Sequence, residues 1–249
     1  MRVHDNVLLR MLDPESSARL TAIGALAAYP TGTVLLEPDD LIDAIHFPLG
    51  ASLAAQLVTL EGGASAEGAQ IGRDGMIGVQ AGDGPTPAFA QHIIIQGGTF
   101  LRVALPDFLA ARQQSPALAD VAARYAASLA AQHLQSVACN AVHSLEQRTA
   151  RWLLAAAERT GDLYISVTQE QLGALLGAGR SYTSRQIQHL KARGLVRTRR
   201  GGVAITDYEG IAKQACSCHQ RIKDHARILF RDRPEGSTGQ TDLHLQSMG

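Results

Sequence analysis

The stretch from Thr168 to Val196, TQEQLGALLGAGRSYTSRQIQHLKARGLV, constrains this chain more than any other. Thr168-Gln169-Glu170-Gln171 has the form of a capping box, in which the Thr hydroxyl accepts from the N–H three residues on and Gln171 reaches back. Leu172, Leu175 and Leu176 make one side of a short helix, and Gly177-Ala178-Gly179 turns the chain. Thr183, Ile187 and Leu190 then repeat at i, i+4, i+7, which sets the inward face of a second helix. Arg180, Ser181, Ser184, Arg185 and Gln188 are left pointing outward. Between Arg180 and Arg200 the residues Arg180, Arg185, Lys191, Arg193, Arg197, Arg199 and Arg200 are basic, and none is acidic. Two helices about a tight turn, the second with a cationic face, have the shape and charge to enter the major groove of DNA.

The neighbouring residues on the C-terminal side extend that unit. Arg193-Gly194 closes the second helix, and two short apolar runs, Leu195-Val196 and Val203-Ala204-Ile205, flank Arg199-Arg200-Gly201-Gly202. This predicts a hairpin wing with a cationic tip. Thr206-Asp207 caps a last helix, expected from Tyr208 to about Phe230.

Charge is divided along the chain. The formal net charge is zero, but residues 1–143 carry 7 Lys and Arg against 13 Asp and Glu, whereas residues 144–249 carry 16 against 10. An acidic front and a basic back predict two units with different partners, the back one suited to a polyanion.

The front half has another periodicity. Short apolar runs between Pro30 and Val103 alternate with turn signals such as Glu37-Pro38-Asp39-Asp40, Glu61-Gly62-Gly63 and Gly82-Asp83-Gly84-Pro85. Many short strands at this spacing predict a β-barrel or jelly roll. Before it, residues 4–29 read as helical in two pieces, with Leu20, Ile23 and Leu26 at helical spacing. After it, Ser115-Pro116 starts a run without Gly or Pro up to Val142, a helix of about 40 Å at 1.5 Å per residue. Such a helix either lies across the barrel as core or pairs with its copy; Leu118, Val121, Tyr125, Leu129 and Gln132 lie on one narrow stripe among alanines, and the pairing of two copies is the favoured expectation. Leu145 to Arg159 predicts a further helix with Trp152, Leu153 and Ala156 inward.

The expected organisation is therefore α+β: a barrel domain over 1–114, a dimerisation helix over 115–143, a winged helix-turn-helix over 144–232 and a disordered polar tail over 233–249. No secretory leader is expected, since Arg10, Asp13 and Glu15 interrupt the opening residues. No apolar run reaches the length of a membrane span, so the expectation is a cytoplasmic protein that does not contact membranes.

Other chemistry finds little support in the sequence. Three cysteines, Cys139, Cys216 and Cys218, are no disulfide framework. Cys216 and Cys218 stand two apart on an expected helix, so they should point to different sides, with Cys139 far away. They are read as ordinary thiols, and no metal or cofactor is expected. His46, His92, His133 and His143 are scattered, none beside a cysteine in sequence. There is no Gly-rich phosphate loop, nucleophile elbow or His–carboxylate metal pattern, so no enzyme is expected.

On these residues the chain resembles the Crp–Fnr family of bacterial transcription regulators. The resemblance is specific over Thr168 to Leu172, Leu175-Leu176-Gly177, Arg180-Ser181 with Arg185, and Gly194-Leu195-Val196. It is looser over Gly32-Thr33-Val34-Leu35, Phe47-Pro48, Glu61-Gly62-Gly63 and Ile71 to Val79. It implies a sensor barrel like that of cyclic-nucleotide-binding proteins, a homodimer on a long helix, and a two-fold-symmetric site on double-stranded DNA. In many members it also implies contact with RNA polymerase. Arg180, Ser181, Arg185 and Gln188 are then expected at base edges, with Ser184 beside them; Thr168, Gln169, Tyr182, Arg199 and Arg200 are expected to meet the phosphate backbone.

Two departures carry consequences. Val79 stands near where cyclic-nucleotide binders of this fold place a Glu for the ribose, and Thr86-Pro87-Ala88 occupies their expected Arg-Ser/Thr-Ala region. No Lys or Arg lies between Asp74 and Leu101, so cyclic AMP and cyclic GMP are not expected to bind in the family's usual way. Ser181 replaces the Glu of many relatives, so base preference is expected to differ from theirs. The rival function is a ligand-sensing or protein-docking module that has lost DNA.

Overall fold

A computed structural model describes residues 5–231; the expected tail over 233–249 lies outside them. The chain opens with helices α1 (Val7–Arg10) and α2 (Pro14–Ile23), capped by the side chains of Asn6 and Asp13. Asn6 is fully buried and also donates to the carbonyls of Pro48 and Gly75, which ties the N-terminus to the barrel. The expected helical continuation through Leu26 is corrected. Gly24 turns extended after α2, and strand β1 (Ala25–Tyr29) leaves Leu26 exposed.

Seven strands form two antiparallel sheets. Strands β1, β7 (Gly98–Ala104) and β3 (Ala44–Pro48) make one sheet in the order β1-β7-β3. Strands β2 (Val34–Leu36), β6 (Gln91–Gln96), β4 (Leu53–Thr59) and β5 (Ser65–Ile71) make the other in the order β2-β6-β4-β5. Phe47, Phe100, Ile45, Val103, Ile71 and Ile94 fill the space between them. Helix α3 (Leu105–Gln114) leads from β7 to helix α4 (Pro116–Val142), which starts on the side-chain oxygen of Ser115 and has the 27 residues expected.

The stripe expected to pair two subunits is also corrected. Leu118, Val121, Tyr125 and Leu129 belong to the barrel core, and Gln132 is buried with its carbonyl oxygen accepting from the Gln70 N–H. These five side chains bind α4 to its own barrel and are closed to another chain. Gly75 shows how close the approach is, because a Cβ there would sit 2.3 Å from the Tyr125 hydroxyl. A third face of α4 stays open to solvent: Ala123, Ala127, Ala130, Leu134, Val137 and Ala141 are all exposed or half-exposed.

Helix α5 (Leu145–Thr160) carries a capping box on Ser144 and ends on Gly161 in the left-handed region. Then come strand β8 (Tyr164–Ile165), helices α6 (Gln169–Leu175) and α7 (Arg180–Ala192), strands β9 (Val196–Arg199) and β10 (Gly202–Ile205), and helix α8 (Tyr208–Gln214). The strands pair in the order β8-β10-β9. Leu172, Leu175, Ile187, Leu190, Val196, Val203 and Ile211 build one core with Trp152 and Leu153 of α5. That core continues into the barrel through Leu53, Ala55, Leu57 and Ile95. Trp152 Nε1 donates to the buried Glu67 carboxylate at 2.7 Å, and the Gln70 amide donates to the Trp152 carbonyl at 3.3 Å.

The last expected helix is two. Ala215 is extended after α8, and α9 (Cys218–Phe230) sets off again with Ser217 at its N-cap, running back along α4. The break removes the reason for Cys216 and Cys218 to diverge. Both thiols converge on Cys139 of α4, Cys139 Sγ lying 3.5 Å from Cys216 Sγ, and His143 Nδ1 lies 3.5 Å from Cys218 Sγ. The expectation of separate thiols and a histidine remote from them is thus overturned.

Candidate DNA-reading interface

The reading unit is assembled by caps and a tight turn. Thr168 accepts from the Gln171 N–H at 3.1 Å while the Gln171 side chain accepts from the Thr168 N–H at 2.9 Å. Gly177 has φ +61°, a left-handed conformation that favours glycine, and a Cβ there would stand 3.3 Å from that of Ala66 on β5. Thr183, Ile187 and Leu190 are wholly buried, which fixes the rotation of α7. Every outward residue is set by that rotation.

Arg180, Ser181, Tyr182, Arg185 and Gln188 are exposed, and Ser184 is half-buried. The Arg185 guanidinium stacks over the Tyr182 ring at 4.7 Å, which orders a long cation at the surface without neutralising it. Ser184 Oγ donates to the Gln169 side-chain oxygen at 2.6 Å, so these two expected contact residues form one bridge between α6 and α7. Arg180 lies 3.9 Å from Glu170, both well exposed, a pairing too loose and wet to hold it. Gly179 at the N-cap gives no side-chain bond, so the first N–H groups of α7 point free toward any anion laid across this end.

The wing lies alongside. Arg199 and Arg200 are exposed at the β9–β10 turn, and the Tyr164 hydroxyl donates to the Arg200 carbonyl at 3.3 Å. Arg197 is exposed as well and shares the outer face of β9 with Arg199 by strand alternation; its charge is plain in the sequence, but its place in the site is not. Arg193 does not belong to this surface. Its guanidinium reaches the Gln214 side chain at 2.6 Å and Glu146 at 3.4 Å, and His189 lies 3.3 Å from the same carboxylate. These contacts pin the C-terminal end of α7 to α5 and α8.

Of the expected DNA contacts, Arg180, Ser181, Arg185 and Gln188 are exposed on α7, Thr168 is exposed and Gln169 half-buried at the start of α6, and Arg199 and Arg200 are exposed on the wing. The five residues of the α4 stripe do not join any open surface.

Residues 147–213 match the family model of the Crp-like helix-turn-helix domain. The chain has the Crp/Fnr fold. A transcriptional regulator of the crp/fnr family from Eubacterium rectale superposes over 87% of this chain and 99% of its own, with a TM-score of 0.64 at 14% identity. FixK2 from Bradyrhizobium japonicum does so over 78% and 98%, with a TM-score of 0.66 at 13% identity. TTHA1359, a CRP/FNR transcriptional regulator from Thermus thermophilus, covers 77% of this chain and 98% of its own, with a TM-score of 0.62 at 20% identity. A sequence comparison with curated proteins found no match. In the Crp-like domain, α6 and α7 are the helix-turn-helix, and β9–β10 the wing. Among the described residues, no helix is long and apolar enough to cross a membrane.

Proposed function

We propose that this protein is a cytoplasmic, homodimeric transcription regulator that reads a two-fold-symmetric DNA site with α7. The observation that carries this is the open cationic face of α7, held in register by three buried residues and continued by the arginines of the wing. In this reading Arg180, Ser181, Arg185 and Gln188 meet base edges, with Arg185 suited to the O6 and N7 edge of guanine. Thr168, Gln169, Tyr182, Arg199 and Arg200 hold the backbone, joined by Arg197.

The dimer forms through the open face of α4. Ala123, Ala127, Ala130, Leu134, Val137 and Ala141 recur at alternating steps of four and three, the spacing of a two-stranded coiled-coil seam. Small side chains along most of it allow close backbone approach. A symmetric pair would carry its two α7 helices to successive major-groove turns, about 34 Å apart.

Cyclic AMP and cyclic GMP are not effectors in this reading. Thr86 Oγ1 donates to the carbonyls of Ala81 and Gly84, and Ala88 is buried with its N–H on Asp40, so the loop is closed on itself and brings no cation. The similar CLP from Xanthomonas campestris is a c-di-GMP responsive regulator.

The test is Arg185→Ala, with operators selected from random duplexes for the native chain. Its affinity for the selected site should fall by about 1–3 kcal/mol, with base preference relaxed at one position of each half-site. Unchanged affinity and preference would refute base reading by Arg185. Failure to select any sequence would favour the docking module that has lost DNA.

A further inference from the structure

We propose that Cys139, His143, Cys216 and Cys218 bind a single zinc ion, a structural site that fastens the C-terminal helix to the base of the long helix. The four donor atoms, three Sγ and one imidazole nitrogen, all lie within 4.8 Å of one another. Tetrahedral zinc with bonds of about 2.3 Å to sulfur sets its sulfurs about 3.8 Å apart. The Cys139–Cys216 and Cys218–His143 separations, both 3.5 Å, are already close to such an arrangement. An iron–sulfur cluster needs its cysteines spread around several metal atoms, and this set is too tight for one.

Each element delivers its ligands for a local reason. Cys139 and His143 are four apart at the C-terminal end of α4, one turn of a single face, with His143 as the cap residue. Cys216 and Cys218 straddle the break between α8 and α9, where the extended Ala215 and the N-cap Ser217 turn both thiols inward. The Gln135 side-chain amide donates to the Cys218 sulfur at 3.1 Å. Such an outer donor orients a ligating sulfur. All three thiols are buried and pack against one another.

The charge also fits. Zinc with three thiolates and a neutral imidazole carries one net negative charge. The guanidiniums of Arg148 and Arg151 act on these thiols, and Arg151, itself buried, has an Nε without a hydrogen-bond partner. Zinc ligation requires the thiolate form of each cysteine. Zinc would displace the thiol protons, with no change of oxidation state. Cys216 and Cys218 lie beyond the matched Crp-like domain, which ends at residue 213. Four protein donors leave no open position, the mark of a structural site. Its consequence is mechanical: a clamp across 77 residues would hold the helix-turn-helix domain against the end of α4, next to the α4–α5 junction at Ser144.

The test uses the full reduced chain. Purified from zinc-containing medium, it should hold about one zinc per chain, and Cys218→Ser should hold far less. After removal of zinc by chelator with a reductant present, cobalt(II) should give the sulfur-to-metal charge-transfer band and intense visible bands of a tetrahedral thiolate site, and one equivalent of zinc should erase them. This cobalt titration keeps the proposal decidable where the serine variant does not fold. Reduced native chain without zinc and without those bands would overturn it. So would a Cys218→Ser chain that keeps its metal, or an iron–sulfur absorbance in chain purified without air.

Discussion

The long helix α4 and the reading helix α7 each turn a face to solvent, and the two faces are opposite in kind. On α7 the buried set is apolar or hydroxylic and the open set is cationic or polar. On α4 both sets are apolar: Leu118, Val121 and Leu129 go into the barrel, while alanines with Leu134 and Val137 remain outside. An open cationic face is stable in water and waits for a polyanion. An open apolar face of this length costs free energy until another apolar surface covers it.

The largest expected effect separates the two apolar faces of α4. Leu134→Glu places a carboxylate on the open seam, next to its own copy in a symmetric dimer. It should give a monomer by light scattering and weaken operator binding by roughly 100-fold or more, because a single half-site holds only part of the specific energy. Leu129→Ala touches the other face. It should lower unfolding stability by about 2–5 kcal/mol and leave the dimer intact. If Leu134→Glu stays dimeric, the subunits pair through some other surface.

The same contrast explains what can be read from the sequence. The α7 unit is legible in detail because its faces differ in chemistry, so Thr183, Ile187 and Leu190 leave one solution for the rotation. The two sheets and the 27-residue length of α4 are legible from turn residues and from the absence of Gly and Pro. The open face of α4 is not, because side-chain size is a poor sign of an interface here. The larger side chains serve the barrel, and the open face is marked instead by its four-three spacing. The thiol cluster is hidden by a different cause. Its approach depends on a helix break at Ala215, where neither Ala215 nor the Cys216-Ser217 that follows is Gly or Pro, and on α9 folding back over α4.

A second prediction concerns the joint that holds α4 and α7 in one body. Glu67 on β5 accepts from Trp152 of α5, and burial raises its carboxyl to about 7, against the pull of the Trp152 N–H, Arg151 and Arg159. A carboxyl that binds its proton more tightly when folded stabilises the fold fully below its ordinary value of 4.5 and loses that contribution as pH rises through 7. Glu67→Gln keeps an acceptor for Trp152 and removes the titration. Between pH 5 and 8 the native chain should therefore lose roughly 1–3 kcal/mol relative to the variant in urea unfolding. Parallel curves would show that Glu67 keeps one protonation state across this range.

The smallest effect is expected on the wing, and it sharpens what kind of cation each position supplies. Arg199 and Arg200 sit exposed at a hairpin turn; in the proposed reading they hold phosphates beside the groove while α7 takes the base edges. Arg199→Ala or Arg200→Ala should weaken all duplexes by a similar, severalfold factor. Base preference should be unchanged, because phosphate contacts carry no sequence information directly. Each should lower the slope of log affinity against log salt by about 0.9, the counterion release of one phosphate contact. Arg185→Ala should differ from both in altering sequence preference. A wing variant that shifts preference would move base reading onto β9–β10, and the division between α7 as reader and wing as anchor would have to be redrawn.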